Sequence, residues 1–312
     1  NGLGIVNKKL TSVEKATSTI LKNIPVLSSH EEIVLNSLGK TLAKPVTALL
    51  SNPPSDVSSM DGYALKNSDI DNGVLEFTVI DESVAGKSSS KTVATMQTVR
   101  IFTGAKIPHG ADRIILQEDV KRLGNNLIKI NKNKLENNNF FIRKTGMDFK
   151  LGEKLIDKGE VLNTRNISLC VASGNSWVTI RRKPKIGIIS TGNELLKFGE
   201  IQNSKNNDKI ISSNGIFLFN FINQLGGEAF ILPTAKDDIK SLTNILDEAN
   251  DLDLIISSGG ASVGDYDIVQ RALEKNNFEL LFWRIAMRPG KPLFFGLLEK
   301  IPFLGLPGNP VS

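Results

Sequence analysis

Two features in the second half of the chain could do chemistry together: a glycine loop and a set of carboxylates. Ser258-Gly259-Gly260-Ala261-Ser262-Val263-Gly264 follows an apolar, strand-like run and opens into a helical pattern. Backbone N–H groups at a helix N-terminus form a ready anion site. Glycine lets the chain approach a phosphate closely. An ordinary strand-to-helix turn has the same pattern. Glu194, Asp237, Asp238, Asp265 and Asp267 each follow the end of a predicted strand. Asp237 and Asp238 would also serve as helix caps, and Glu194 as a solvated loop residue. Carboxylates without a His or Cys cluster suit a hard cation such as Mg²⁺. Acidic groups beside a phosphate loop repel the phosphate unless a cation bridges them. The pairing therefore points to metal-assisted phosphoryl chemistry.

Other segments could support such a site. Arg284 and Arg288 are four apart, with Lys291 close behind. Arg binds phosphate bidentately and Lys acts as a point charge; a basic surface turn is the alternative. Leu306-Pro307-Gly308-Asn309-Pro310 is a stiff loop after a strand, able to hold a ligand wall or simply to turn. Ser59-Met60-Asp61-Gly62-Tyr63-Ala64 and Ile101-Phe102-Thr103-Gly104-Ala105 read, on their residues alone, as turn chemistry.

The elements that must position these groups change character along the chain. Thr11 with Glu14 fits a capping box ahead of Val13, Ala16, Ile20, Leu21 and Ile24 at helical spacing. A second helical stretch is expected from about His30 to Leu42. Short strands are expected at Leu75–Ile80, Thr98–Phe102, Arg113–Leu116 and Leu127–Ile130. The Lys/Asn-rich stretch Lys121–Asn139 lacks interleaved aromatics and reads as a solvated hairpin and loop, not a nucleic-acid surface. After Lys183-Pro184, strand and helix alternate. Strands are expected at Lys185–Ser190 (entering Thr191-Gly192-Asn193-Glu194), Ala229–Leu232 and Leu252–Ser257. Helices are expected at Gly215–Leu225, Ile239–Ala249 and Asp267–Lys275. That order implies a mainly parallel, doubly covered sheet with ligands beyond the carboxyl ends of its strands.

Composition closes off several classes. The chain has 312 residues, 40% hydrophobic and 23% charged, which is globular and excludes wholesale disorder. The net charge of +5 is too small a surplus to argue for nucleic acid. One cysteine, Cys170, excludes an internal disulfide framework, and His30 and His109 are too few for a multi-histidine metal site. No apolar run approaches the roughly 20 residues that span a bilayer. Asn1 in first place and the stop at Ser312 lead us to expect a piece of a longer chain. No secretory leader is expected, and the cytoplasm is the expected compartment.

Together, the segments Ser59–Ala64, Thr103–Ala111, Gln117-Glu118, Ser190–Leu195, Ser257–Asp267, Met287–Pro292 and Leu306–Ser312 resemble the molybdopterin molybdenumtransferase family, MoeA and the gephyrin E domain. Seven segments in the family's order and approximate spacing carry the resemblance over almost the whole chain. It implies a multidomain α+β and α/β fold. An elongated N-terminal helical part (1–50 and 145–183) would carry dimerisation. A β-rich domain (51–144) is inserted in it, and an α/β molybdopterin-binding domain (184–312) follows. The family's further C-terminal β-domain, about 80 residues and a plausible domain size, is expected to be absent from this stretch of chain.

The resemblance also implies an activity. The family inserts molybdenum from molybdate into adenylylated molybdopterin, with Mg²⁺, releasing AMP. Asp61, Thr103, Asp148, Glu194, Asp237 and Asp267 match its acidic and active-site positions, with Glu194, Asp237 and Asp267 as metal ligands. Substrate would be held by Arg143, Thr191, Gly192, Ser258, Gly259, Gly260, Ser262, Val263, Gly264, Arg284, Arg288, Lys291, Pro307, Gly308, Asn309 and Pro310. Asp61, Thr103, Arg143 and Asp148 would act across a twofold dimer, in a composite site. Other cofactor-biosynthesis proteins are candidate partners; nucleic acid and membrane are not. Met147 stands where the family commonly has Glu. Two competing readings are an adenylyltransferase-like enzyme, revealed by ATP consumption without molybdate, and a gephyrin-like scaffold that binds a peptide without turnover.

Overall fold

The computed structural model describes residues 10–135, 139–192, 195–196, 199, 209–234, 243–246, 249, 251–259, 273, 277–289 and 291–308. The chain divides into two compact units, residues 31–180 and residues 1–30 with 181–312. The fold is mixed α/β with few helices. No helix among the described residues is long and apolar enough to cross a membrane.

The 31–180 unit is built on a six-stranded sheet. Its strands lie in the order Arg113–Leu116, Gly62–Leu65, Gln97–Ile101, Glu76–Ser83, Leu127–Ile130, Val120–Arg122. Only strands 76–83 and 97–101 pair in parallel. Alternation along the central strand divides two cores. Tyr63 and Leu65 pack with Phe77, Ile115, Ile128 and Ile130 on one face. Ala64 packs with Ile101, Ala105 and Ile114 on the other. Lys121–Asn139 contains the expected hairpin, strands 120–122 and 127–130. A further core gathers residues from both ends of the unit: Val34, Leu42, Val46, Ile156, Leu162, Cys170, Val178 and Ile180. Helix Thr164–Ala172 closes it, opened by a reciprocal Asn163/Asn166 capping box.

Two local expectations are corrected here. The second helix is not formed. Ser29–Ile33 is a strand, Val34–Asn36 a single 3₁₀ turn, and the chain turns at Gly39 with φ +74°. Val34 donates its N–H to Ser176 O, so extended pairing satisfies this backbone in place of a helical ladder. The first helix, Val13–Asn23, is present, but its cap is Ser12, whose Oγ accepts from Lys15 N.

The second unit holds a six-stranded sheet in the order Glu228–Ile231, Lys185–Ser190, Leu254–Ser258, Ile301–Leu306, Phe294–Leu298, Phe278–Trp283. The first four strands are parallel and the last two antiparallel. Ile189, Ile255, Phe294, Phe303 and Leu298 build one core with Ile245 and Leu246. Ile188, Ala229 and Ile256 face helix Asn214–Gln224 through Ile222 and Leu218. Ala16 and Ile20 of the first helix pack with Phe282, Ile285 and Phe295, so that helix belongs to this unit. A ring stack of Trp283, Phe294 and Phe303, with centroid spacings of 5.3 and 5.8 Å, lies across the antiparallel strands. Phe294 needs Gly305 opposite it, because a Cβ there would stand 1.9 Å from its ring.

Candidate active site

The parallel strands bring predicted residues to one edge by register alone. Ser190 is paired with Ser258, and Ser258 with Leu306. Strands 278–283 and 301–306 are both antiparallel to 294–298, so they run the same way. Thr191-Gly192, Gly259, Pro307-Gly308 and Arg284 therefore all leave the sheet at its carboxyl edge. The strand order also reverses there: the chain goes outward from 185–190 to 228–231 and returns to 254–258 on the other side. Ligands of open α/β sheets bind at such a switch point.

Hydrogen bonds fix this edge. Thr191 N donates to Ser258 O at 3.2 Å, and Gly259 N to Leu306 O at 3.1 Å. Asn214 Nδ2 donates to Ser258 Oγ and to Gly308 O, both at 2.8 Å. Gly259 has φ +104°, and a Cβ there would stand 2.6 Å from Thr191 Oγ1 and 2.9 Å from Thr191 O. This is a backbone-to-backbone approach that only glycine allows. Gly308 passes less closely, its virtual Cβ 3.3 Å from Gly259 Cα. A cavity of about 310 Å³ opens beside this edge, lined by Ser190, Ser212, Gly215, Leu232 and Thr234 among others.

Of the predicted basic groups, Arg284 is half-buried while Arg288 and Lys291 are exposed. Arg284 has φ +63°, uncommon for a residue with a Cβ. Its backbone is tied on both sides: its N–H donates to Leu293 O at 2.8 Å, and its carbonyl accepts from Thr11 N at 3.1 Å. Glu194, Asp237, Gly260, Ser262, Val263, Gly264, Asp267, Asn309 and Pro310 lie outside the described residues. Among the described residues no three His, Cys, Asp or Glu side chains gather as a metal site.

The other predicted residues form two clusters in the 31–180 unit. Asp61 Oδ1 accepts from Thr103 N at 2.7 Å and from Thr103 Oγ1 at 2.8 Å. The Thr103 N–H, and then its hydroxyl, hold the Asp61 carboxyl below the ordinary carboxylate range. Gly62 follows by necessity: a Cβ there would stand 2.1 Å from Ile115 O. Arg143 Nη2 meets both oxygens of Asp148, at 2.6 and 2.8 Å, and Asn52 Nδ2 joins one of them at 3.1 Å. The short strand Val57–Ser58 ties the clusters together. It pairs with Ile142–Arg143, while Ser58 donates to Ala105 O and accepts from Gly104 N. A second, larger cavity of about 420 Å³, lined by Arg113, Glu118 and Lys134 among others, contains none of the predicted site residues.

Several positioning groups had escaped the sequence reading. Arg100 is buried, lies 5.0 Å over the Tyr63 ring and 4.7 Å over Phe102, and donates to Gly62 O and Gln117 Oε1. A lone charge between Val99 and Ile101 of the strand Gln97–Ile101 was its signal. Asp56 repeats the Asp61 arrangement: its Oδ1 accepts from Thr145 N at 2.8 Å and Thr145 Oγ1 at 3.0 Å, and its Oδ2 from Lys144 Nζ. The Lys144 ammonium, and then the Thr145 N–H, hold its carboxyl below the usual range. Asn214 and Asn52 had only their places beside Gly215 and Pro53 to mark them.

Comparison with known proteins agrees with this geometry. Residues 11–174 match the family model described as the MoeA N-terminal region (domain I and II), and residues 187–312 match a probable molybdopterin binding domain. A Haemophilus influenzae protein named molybdopterin molybdenumtransferase is 33% identical over 305 residues, covering 97% of this chain and 74% of the relative. A Staphylococcus aureus protein of the same name is 34% identical over 303 residues, covering 96% and 71%. The crystal structure of the molybdopterin biosynthesis MoeA protein from Pyrococcus horikoshii superposes with a TM-score of 0.84 at 32% identity, covering 97% of this chain and 76% of that one. With one family model spanning more than half of its residues and relatives of this similarity covering 96–97% of it, the chain belongs to the MoeA family of molybdopterin molybdenumtransferases.

Proposed function

We propose that this protein is a cytoplasmic molybdopterin molybdenumtransferase that transfers molybdenum from molybdate to adenylylated molybdopterin, with release of AMP. Its family supports the activity, since the curated relatives carry that name. The observation that carries the reading is the carboxyl edge. Loops 191–192, 259 and 307–308 converge there, with glycines where a phosphate needs bare backbone.

In this reading Thr191 N–H and Gly259 N–H are spent on Ser258 O and Leu306 O and shape the edge, and the backbone amides that follow them hold the substrate's phosphates. Arg284, Arg288 and Lys291 supply positive charge against them. Glu194, Asp237 and Asp267, which lie outside the described residues, would offer carboxylates alone, a donor type that suits Mg²⁺. Bound there, the ion would neutralise charge on the pyrophosphate as it is cleaved. The Asp61–Thr103 and Arg143–Asp148 clusters complete the site across a homodimer, each copy supplying the other's second half. Thr103 donates twice to Asp61 and fixes its carboxylate, which could accept a proton or orient a hydroxyl.

AMP release from adenylylated molybdopterin, with and without molybdate, tests the proposal. Molybdate-dependent release that is lost in Glu194→Gln supports it. Molybdate-dependent release that is unchanged in Glu194→Gln overturns the assigned site, and consumption of ATP in the absence of molybdate overturns the activity.

A further inference from the structure

Asn214 is the first residue of an eleven-residue helix, yet it does nothing for that helix. The preceding Ser213 makes no side-chain cap bond. The Asn214 side-chain NH₂ donates to residues 44 and 94 positions away. Asn is a mediocre helix former, so a residue chosen for the helix alone would differ. The Gly308 carbonyl can only accept, so the group facing it must be a donor, and the side-chain NH₂ is one. Its second hydrogen goes to Ser258 Oγ. One acceptor is the last residue of strand 254–258 and the other lies just beyond strand 301–306, where Gly259 and Gly308 touch.

We infer that Asn214 is a positioning residue that clamps the carboxyl end of strand 254–258 to Gly308, beyond strand 301–306, and so fixes the spacing of Gly259 and Gly308 at the ligand edge. The inference rests on the reading of this edge as the substrate site. One side-chain amide holds both partners, so neither Ser258 nor Gly308 can shift without breaking a bond of 2.8 Å.

Asn214→Asp separates this role from a structural one. The carboxylate has the same shape and can still accept from Ser258 Oγ. It cannot donate to Gly308 O, and it places acceptor against acceptor. At a helix N-terminus, however, a negative charge is favourable. Stability should therefore hold or rise while function falls. We expect the melting temperature of the variant to equal or exceed that of the wild type. We expect kcat/KM for AMP release to drop about two- to tenfold, the range for one lost hydrogen bond to a carbonyl that water can still reach. The deficit should shrink as pH falls toward the ordinary carboxyl range, about 4, because a protonated Asp can donate again. A melting temperature that falls together with activity, or unchanged kcat/KM, overturns the inference. Amide exchange in the ligand-free protein gives an arm that needs no substrate: the Gly259 N–H, bonded to Leu306 O, should exchange faster in Asn214→Asp. If the wild type releases no AMP, the functional reading fails and the exchange comparison alone decides the clamp. Faster exchange then supports it, and equal exchange overturns it.

Discussion

Replacing Gly259 by Ala should do more damage than any other glycine substitution at the sheet's carboxyl edge, and the size follows from two separable terms. The first is backbone conformation. Gly259 sits at φ +104°, where an L-residue is strained by about 1–2 kcal/mol. The second is overlap. The new Cβ would stand 2.6 Å from Thr191 Oγ1 and 2.9 Å from Thr191 O. The side-chain oxygen can rotate away but the carbonyl cannot, so about 1–3 kcal/mol is added. The sum is about 2–5 kcal/mol. Two other glycines isolate the terms. Gly226 has φ +90° with nothing within 4 Å of its virtual Cβ, so Ala there carries strain alone, about 1–2 kcal/mol. At Gly308 the contact is 3.3 Å with no left-handed φ, so Ala should cost less than about 1 kcal/mol. Urea unfolding followed by Trp283 fluorescence, in a Trp177→Phe background, reads this unit, because Trp283 stacks on Phe294 in its core. The expected order of destabilisation is Gly259→Ala, then Gly226→Ala, then Gly308→Ala. Substrate affinity should be lost with the first and kept with the second. If Gly259→Ala unfolds no earlier than Gly226→Ala, the close approach of this loop to Thr191 is refuted.

Three further substitutions probe the scaffold. Asp253 accepts two bonds from Arg182 and one from Lys185 N. Burial pushes its carboxyl up, but those bonds outweigh it and hold the pKa below the ordinary value. Asp253→Asn should therefore destabilise this unit by about 1–2 kcal/mol, allowing for the partly exposed Arg182. Because the folded-state pKa is the lower one, that stability is fully present above the unfolded value of about 3.9 and lost as pH falls through the folded value. Urea curves of wild type and variant should differ at pH 7 and converge in acid. Thr103→Val keeps the N–H bond to Asp61 but removes the hydroxyl donor, so a carboxyl NMR titration should find the Asp61 pKa raised; an unmoved value contradicts the assignment. Arg100→Lys loses the flat guanidinium between Tyr63 and Phe102 and one of its two acceptors, for about 2–3 kcal/mol in urea unfolding.

The legible parts of the fold were those specified by local pattern. The apolar run Lys185–Ser190 and the alternation through Arg113–Leu116 and Leu127–Ile130 gave strands within a residue of those observed. The stretch His30–Leu42 was misread because its few apolar residues fit a helical period. Its backbone partner, Ser176, is more than 130 positions away and leaves no local trace. The glycine loop and the basic turn were legible because their chemistry is carried by residue type. Asn214, Arg100 and Asp56 were not. Each acts through hydrogen bonds to residues 17 to 94 positions distant, and Asn and Asp at loop and helix starts read first as turn formers. Asp61 and Thr103 were legible only through their likeness to a family, since 42 residues separate the two halves of one hydrogen-bonded pair.

If the proposed activity holds, this chain transfers molybdenum and releases AMP in the same event, and counting both in a single reaction with adenylylated molybdopterin, molybdate and Mg²⁺ decides the matter. One molybdenum should be gained by the pterin for each AMP released, with no release when molybdate is left out. AMP appearing at the same rate without molybdate, or without molybdenum reaching the pterin, would overturn the proposed activity.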